Sequence, residues 1–277
     1  MRSLLDVETA GSLDGALLPG GFRLRAGVIR RGGDVGNPVG TSFWPAGTHA
    51  RREVELVRRV AAHQLGIHPR DFRLLRQVHG TRVVRRSAEE GPEILEADAQ
   101  VTTETGLALI VNVADCCPVV VFSRNPPVAG IAHSGWRGTA AGVVPELVQA
   151  ILEHGAAVAD LRAWVGPCAG GNVYEVGREV ARHFQRWPAA LQEHPQTDEK
   201  QFLDVGRAVQ EQLIALGLPV RSIERSFGDT IGDRRYHSHR RSLFAAGRMA
   251  GFVAMVPGGW TRATTSSYLE TDQEKEN

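Results

Sequence analysis

Three segments of this chain place a histidine or a cysteine next to an apolar run and beside glycine or proline. His133 follows the apolar start of VAGIAHSGWRGT, Cys116 interrupts LALIVNVADCCPVVVF, and His79 precedes a glycine in LLRQVHGTRVV. A strand of Val, Ala and Ile needs no histidine at its end for packing, and nearby glycines allow a ligand to approach the backbone closely. The three segments therefore predict one site that they share.

The residue types in these segments are those that bind zinc. His79 and His133 offer imidazole nitrogen, and Cys116 offers thiolate sulfur. Three protein ligands leave the fourth position of a tetrahedral ion for water, which is the pattern of a catalytic site and not of a structural one. The spacing of the three residues matches none of the short metal-binding motifs. The zinc hypothesis depends at this point on residue type alone.

The same residues allow a metal-free alternative, in which Cys116 is a nucleophile that His133 activates. Asp115 suits either arrangement, because it can accept a hydrogen bond from a ligand histidine or serve as the third member of a catalytic triad. Cys117 points to the opposite side of a strand from Cys116, so we expect it to face the core. Cys168 lies in a glycine-rich loop, where we interpret it as a small buried residue.

Several polar and aromatic residues near these segments are candidates for contacts to a substrate. Trp136 either stacks on a flat ligand or covers the core, and a helix that starts near Gly138 would point backbone N–H groups at an anion. Ser238 lies in the motif SHRR, and we expect the neighbouring His237 and His239 at the surface, because no apolar strand precedes them. The arginines that we consider as anion contacts are Arg30, Arg137, Arg240, Arg241 and Arg248. Arg30 fits a solvated strand edge equally well.

The elements that must position these residues alternate between strands and helices without a regular rhythm. Apolar spacing predicts helices over residues 49–65, 138–155, 179–187 and 203–216. Alternating or continuous apolar runs predict strands over residues 22–31, 100–103, 128–133, 161–165 and 251–256. They also predict a pair of strands over 107–122, interrupted at 115–117, and two β-prone runs over 74–84 on either side of His79. A doubly wound sheet would alternate more regularly, so we predict an α+β fold with a single compact mixed α/β domain.

The composition argues against several classes of protein. The chain has 277 residues, with 32 lysines and arginines against 31 aspartates and glutamates, so its charge does not favour nucleic acid or an anionic membrane. Three cysteines without a CxxC pair argue against a disulfide framework, and no stretch approaches the roughly 20 apolar residues of a membrane span. We expect a cytoplasmic protein, with a peripheral segment at 1–21, a catalytic domain at 22–260 and a disordered polar tail at 261–277.

The motifs QVHG, ADCCP, AHSGWRGT and GPCAGGNVYEVG, followed by SHRR and a Gly-Arg pair, together resemble the bacterial YfiH family. Members of this family are also described as multicopper polyphenol oxidase or laccase domain proteins. The resemblance covers residues 22–256 and implies a YfiH/CNF1-like α+β domain. It also implies a zinc site made of the histidine of QVHG, the cysteine of ADC and the histidine of AHSGWRG, which are His79, Cys116 and His133 in this chain.

The resemblance implies chemistry on purine nucleosides, with nucleoside and phosphate as small-molecule partners. The implied reactions are phosphorolysis of adenosine, inosine or methylthioadenosine, and deamination of adenosine. Copper-dependent phenol oxidation and peptidoglycan editing are associated with the same family. One thiolate and two imidazoles make one metal site, whereas a multicopper oxidase needs several copper centres, so the residues favour zinc over copper. For the phosphate we consider Arg30, Arg137, Arg240, Arg241 and the helix start after Gly138.

Departures from the family pattern leave the substrate preference open. Val209 stands where family members have an asparagine, and Asp229 and Thr230 stand where they have Cys-Thr. If these positions shape the nucleoside pocket, the preferred substrate differs in this chain. Two other hypotheses remain: a metal-free cysteine hydrolase that acts on a cell-wall peptide or amide, and a noncatalytic scaffold that zinc stabilises. The sequence does not indicate an oligomeric state.

Overall fold

Strands outnumber helices in residues 6–30 and 51–258, the part of the chain that the computed structural model describes. The strands and helices in chain order are β1 Asp6–Thr9, β2 Leu17–Leu18, β3 Phe22–Arg30, α1 Arg51–Leu65, β4 Phe72–Arg73, β5 Leu75–Arg76, β6 Val83–Arg85, β7 Leu95–Glu96, β8 Ala99–Thr102, β9 Ala108–Val113, β10 Cys117–Arg124, β11 Pro127–Ser134, α2 Trp136–Ala141, α3 Val143–Leu152, β12 Arg162–Val165, β13 Glu175–Gly177, α4 Arg178–Ala181, β14 Leu191–Glu193, β15 Lys200–Leu203, α5 Val205–Ala215, β16 Ile223–Arg225, α6 His239–Ser242 and β17 Met249–Pro257.

Two mainly antiparallel sheets pack face to face. The first has the order β1-β3-β17-β9-β4 with β2 beside β3, and the second has the order β16-β12-β10-β11-β8-β6. Their inner faces share one core, in which Val28, Val111 and Val253 of the first sheet are clustered with Val120 and Ile131 of the second. Alternate residues of each strand face outward, where α1 covers the first sheet and α3 and α5 cover the second. The layers are therefore helix, sheet, sheet, helix.

The chain crosses from the first sheet to the second between β9 and β10. Ala114, Asp115 and Cys116 make this crossover. Asp115 has a φ of 83° there, a left-handed conformation that residues other than glycine seldom adopt. β10 then forms a hairpin with β11, in which Pro118 pairs with His133. The crossover and the hairpin register together bring Cys116 to the end of β11 that carries His133.

The structure confirms the α+β expectation and corrects several elements. α5 matches the helix predicted over 203–216, and α1 matches the helix predicted over 49–65 from Arg51 on, residues 49 and 50 being outside the described ranges. The helix predicted over 138–155 is wrong in its start and in its continuity, because α2 begins at Trp136 and a left-handed Gly142, with a φ of 101°, separates it from α3. The helix predicted over 179–187 is only the short α4 and a 3-10 turn.

The N-terminal segment is more than peripheral. β1 is the edge strand of the first sheet and pairs with β3, but Ala10 and Leu13 are fully buried in the core between the sheets. The boundaries 22–260 of a catalytic domain stay a prediction, and the predicted tail at 261–277 lies outside the described residues. None of the helices in the described ranges combines the length and the apolar character needed to span a bilayer.

Candidate metal centre

The ligand atoms of His79, Cys116 and His133 all lie within 4.8 Å of one another. Sγ of Cys116 is 4.0 Å from Nε2 of His79, and the two imidazole rings meet edge to face with their centroids 4.9 Å apart. Bonds of about 2.0–2.3 Å place the ligand atoms of a tetrahedral zinc ion roughly 3.3–3.8 Å apart. Small side-chain rotations therefore suffice for the three residues to hold one metal ion.

Each of the three residues comes from a different part of the fold. His133 lies at the end of β11, and Cys116 is the last residue of the crossover. His79 lies in the turn between β5 and β6, with a φ of 60°. Histidine is among the residues that tolerate this left-handed conformation. Of the described residues other than glycine, His79 and Asp115 share a positive φ only with Leu243, so both loops of the site have unusual backbone.

Asp98 is a residue of the site that sequence reasoning missed. Its side chain is fully buried, and its Oδ1 accepts hydrogen bonds from Nδ1 of His133 at 2.8 Å and from the backbone N–H of His79 at 2.9 Å. Its Oδ2 accepts the backbone N–H groups of Val78 at 3.1 Å and Gly80 at 2.7 Å. Burial raises the pKa of Asp98, but the bonds from His133 and Gly80 outweigh this effect and hold the pKa below its usual value. Because Nδ1 of His133 contacts Asp98, its Nε2 is the nitrogen that a metal ion would bind.

Asp115 does not have the position that the sequence suggested. Its Oδ1 accepts the hydroxyl of Thr230 at 2.7 Å, and its Oδ2 accepts the backbone N–H of Arg240 at 2.7 Å. The hypothesis that Asp115 orients a ligand histidine is therefore wrong for His133, whose Nδ1 bonds to Asp98. Asp115 still lines the same cavity as the three ligands. A catalytic role for Asp115 stays a prediction.

Cys116 and His133 change each other's protonation. Burial raises the pKa of the Cys116 thiol, but the charges and hydrogen bonds of His133 and His79 lower it to about 6. Burial lowers the pKa of His133, but Cys116 and Asp98 raise it to about 9. In the metal-free protein at neutral pH the pair is therefore a thiolate and an imidazolium. The thiolate is the form of cysteine that binds a metal ion.

The three ligands line a cavity of about 640 Å³. Trp136 and Tyr174 also line it, and each ring has a guanidinium over its face. The Cζ atom of Arg137 is 4.3 Å from the ring centroid of Trp136, and that of Arg240 is 4.8 Å from the ring centroid of Tyr174. The cavity thus combines flat aromatic surfaces with positive charge.

Arg248 brings a further cation to the cavity, next to the crossover. It precedes β17, whose first residue, Met249, pairs with Val113 at the end of β9. Two carbonyl oxygens of its own loop accept hydrogen bonds from its Nη1, at 2.8 Å and 3.0 Å. Burial lowers the pKa of Arg248, and the charges of Cys116 and Asp115 act against this effect. Arginine keeps its proton under such conditions, so the guanidinium is a half-buried cation near Cys116.

Three of the predicted substrate contacts do not line this cavity. Arg30 forms ion pairs with Asp6 at 2.6 Å and with Glu8 at 3.4 Å, and it lines a second cavity. The guanidinium of Arg241 donates to four backbone carbonyls of the loop 230–236, at 2.6–3.4 Å. Ser238 caps α6 by accepting the backbone N–H of Arg241 at 3.1 Å. The structure gives these three residues positions in which they stabilise the fold.

The remaining candidates are divided between core and surface. Cys117 and Cys168 are buried in the core beneath α3 and α5, as the sequence predicts. His239 is exposed and lines the cavity. The prediction of a surface position is wrong for His237, which is only 5% exposed. It is enclosed because residues 236–238 pack inward, with buried Tyr236 and Ser238 as its neighbours.

Comparisons with known proteins show which proteins the chain is similar to. The chain matches the family described as multi-copper polyphenol oxidoreductase laccase over residues 26–256. It is 37% identical over 222 residues to a Streptomyces coelicolor protein named purine nucleoside phosphorylase, covering 79% of this chain and 86% of that protein. It is 32% identical over 181 residues, 61% of this chain and 69% of the relative, to a protein named adenosine deaminase RL5 from an unknown prokaryotic organism. In structure it is similar to the YfiH protein of Bacillus licheniformis, with a TM-score of 0.78 and 24% identity, covering 83% of this chain and 92% of that one.

Proposed function

Because the chain belongs to the multi-copper polyphenol oxidoreductase laccase family, which includes the YfiH proteins, we propose that it is a zinc-dependent purine nucleoside enzyme. Its proposed reactions are phosphorolysis of adenosine, inosine or methylthioadenosine, and deamination of adenosine. The observation that carries this proposal is the convergence of His79, Cys116 and His133 in the wall of one cavity. The names of the relatives in Streptomyces coelicolor and of RL5 supply the two reaction classes.

The donor set supports zinc as the metal. Imidazole nitrogen and thiolate sulfur are zinc ligands, and three protein ligands with an open fourth position are the pattern of a catalytic zinc site. Bound there, zinc would polarise the reacting group as a Lewis acid. The described residues contain one group of three side chains placed to ligate a metal, His79, Cys116 and His133, whereas a multicopper oxidase needs several copper centres. The copper-dependent phenol oxidation in the family name is therefore not the reaction that we propose.

The shape of the cavity supports a nucleoside as substrate. A volume of about 640 Å³ falls within the range of small-molecule sites. The rings of Trp136 and Tyr174 can stack on a purine, and the guanidinium groups over them can move aside or remain as the second face of the stack. The metal ligands lie in the same wall, so a base held between these rings is close to them.

The cations of the cavity support phosphate as the second substrate. In phosphorolysis the bond between C1′ of the ribose and N9 of the purine breaks, a phosphate oxygen bonds to C1′, and the base leaves with a proton. Arg248 and Arg240 are the cations that we assign to phosphate, because both flank Asp115 in the cavity wall. Arg137 is more exposed than Arg248 and lies over Trp136, so we assign it to the mouth of the cavity.

The deaminase reaction replaces the amino group at C6 of adenine by an oxygen from water and releases ammonia. It needs a group that moves protons between the water and the leaving amine. We assign this role to Asp115, whose carboxylate lines the cavity and is held by Thr230 and Arg240. Cys116 is assigned as a metal ligand that is essential for both reactions.

The test is incubation of the zinc-loaded protein with adenosine, inosine or methylthioadenosine, with and without phosphate. Chromatography then measures free base, ribose 1-phosphate and inosine. We expect base only with phosphate, inosine from adenosine in either case, and neither product from Cys116→Ala. A Cys116→Ala protein that is folded and forms product at the wild-type rate would overturn the proposal.

A second candidate function comes from the low pKa of Cys116. A thiolate beside an imidazolium is also the arrangement of a metal-free cysteine hydrolase, and the pKa of the Cys116 thiol is lowered to about 6. Such an enzyme would cleave a cell-wall peptide or amide. Metal analysis of the purified protein separates the two candidates, because stoichiometric zinc that blocks alkylation of Cys116 contradicts the hydrolase.

A further inference from the structure

We propose that Asp98 is a positioning residue that holds both ligand histidines in place for the metal ion. The proposal rests on the metal site of the proposed function, but it does not depend on the identity of the substrate. Nothing in the sequence motifs points to Asp98, and its role follows from its contacts with two separate segments of the chain. One segment is the turn at 78–80 and the other is the end of β11.

The first set of contacts fixes the backbone of the turn that carries His79. Asp98 accepts three consecutive backbone N–H groups, from Val78, His79 and Gly80, at 2.7–3.1 Å. Three consecutive N–H groups can converge on one carboxylate only when the turn is tightly curved, and His79 has a φ of 60° in it. Left-handed backbone at a residue other than glycine persists only where its surroundings stabilise it. The carboxylate supplies that stabilisation, because it compensates the N–H groups that the turn leaves without partners in a helix or sheet.

The second set of contacts fixes His133. Nδ1 of His133 donates to Oδ1 of Asp98 at 2.8 Å, and the backbone N–H of His133 donates to the backbone carbonyl of Asp98 at 2.7 Å. The first bond sets the orientation of the ring and keeps the proton on Nδ1, so that Nε2 faces the metal position. The second bond fixes the position of the His133 backbone relative to Asp98. The side chain and the backbone carbonyl of Asp98 therefore both hold His133.

The carboxylate has no spare capacity for another role. Each of its two oxygens accepts two hydrogen bonds, which is the full capacity of an ionised carboxylate. Its side chain is fully buried, and Asp98 is not among the residues that line the cavity. Asp98 consequently acts through His79 and His133, and it touches neither substrate nor metal ion.

Asp98→Asn tests this role with little change in shape. The amide oxygen of asparagine can still accept hydrogen bonds. Its NH2 group, however, would face N–H donors and cannot accept hydrogen bonds from them. We expect the affinity for zinc, and for cobalt as a spectroscopic probe, to fall about 10- to 100-fold, the range found when partners of metal-bound histidines are removed. Competition with a chromophoric chelator measures the affinity, and thermal unfolding of the metal-free protein shows whether the variant is folded.

Gln100→Met is the matched control. Gln100 lies in β8, two residues after Asp98, is fully buried, and donates from Nε2 to the carbonyls of Arg73 at 2.9 Å and Ile110 at 2.8 Å. The substitution removes buried hydrogen bonds without touching His79 or His133, so the melting temperature should fall while the zinc affinity stays that of the wild type. Equal losses of zinc affinity in Gln100→Met and Asp98→Asn would overturn the proposal, as would an Asp98→Asn protein with wild-type affinity.

The wild-type protein provides a test that does not depend on folding of the variant. With 15N-labelled histidine, the nuclear magnetic resonance spectrum of the zinc-loaded protein should show a proton on Nδ1 of His133 and the metal on Nε2. A metal-bound Nδ1 would refute the assignment of Asp98. Absence of zinc binding by the wild type would instead refute the proposed metal function itself, so the two failures are distinguishable.

Discussion

A Cβ atom on Gly135 would lie 2.8 Å from the sulfur of Cys116, closer than any side chain tolerates. The same position is 3.1 Å from Cδ2 of His79. Gly135 therefore allows two metal ligands to pack against the backbone between β11 and α2. This close contact explains why the segment AHSGWRGT has glycine directly after the end of the strand.

Gly135→Ala should weaken metal binding, because the added methyl group displaces the sulfur of Cys116 or the ring of His79. We expect the zinc affinity to fall at least about tenfold, as in other sites whose ligands lose their orientation. The control is Gly130→Ala within the preceding strand β11, where a Cβ would lie 2.7 Å from Cδ1 of Leu147 in the core. That change should lower the melting temperature and leave the zinc affinity intact. If Gly135→Ala instead lowered the melting temperature and left the zinc affinity unchanged, Gly135 would matter for stability and not for the site.

The reactivity of Cys116 in metal-free protein should depend on pH according to its lowered pKa. A thiol with a pKa of about 6 is already a thiolate at neutral pH, so the alkylation rate should rise between pH 5 and 7 and then level off. An ordinary thiol would continue to gain rate up to about pH 9. Iodoacetamide kinetics, read by mass spectrometry of the modified peptide, measure the profile.

Two controls apply to the alkylation experiment. Cys116→Ser should react slowly, because Cys117 and Cys168 are buried. Zinc should protect Cys116 in the wild-type protein. A rate that still rises steeply above pH 8 would contradict the lowered pKa.

The sequence predicted the three candidate ligands, which the structure brings together, but not Asp98, which contacts two of them. His79, Cys116 and His133 could be found because their types are unusual at the ends of apolar strands. Asp98 stands between two alanines at the start of a short strand, where an acid suggests an exposed turn. Only the pairing of β8 with β11 brings it against His133. A single acid that precedes a short strand without other charges is the signal that could have revealed it.

The positions of the arginines could not be predicted for a similar reason. Arg240 and Arg241 are neighbours in one motif, yet one lines the cavity and the other donates to backbone carbonyls of a loop. Their opposite directions depend on the short helix α6 and on the irregular loop before it, neither of which has an apolar period. The crossover at 114–116 is a further example, because two apolar runs with a short interruption give no sign that β9 and β10 belong to different sheets.

Arg241→Met should therefore destabilise the fold more than it affects binding. The substitution removes hydrogen bonds from a charged donor to the carbonyls of Thr230, Ile231 and Tyr236. For a partly exposed side chain we expect a loss of about 1–2 kcal/mol in the free energy of unfolding, measured by urea denaturation. The Michaelis constant for phosphate should stay within about twofold of the wild-type value. A large rise in that Michaelis constant with an unchanged free energy of unfolding would contradict this prediction and show that Arg241 contacts phosphate.

Arg248→Met should raise the Michaelis constant for phosphate at least about tenfold, which corresponds to about 1.4 kcal/mol of lost binding. The reason is that Arg248 is a half-buried cation in the cavity wall, where a charge is less screened than at the surface. Initial rates at fixed inosine and varied phosphate measure the constant, and the same assay at fixed phosphate gives the constant for inosine. Arg137→Met removes an equal charge from the exposed mouth of the cavity, so it should have a smaller effect on phosphate. If Arg137→Met has the larger effect, phosphate binds at the mouth and not beside the crossover, because a cation contributes most where the anion lies.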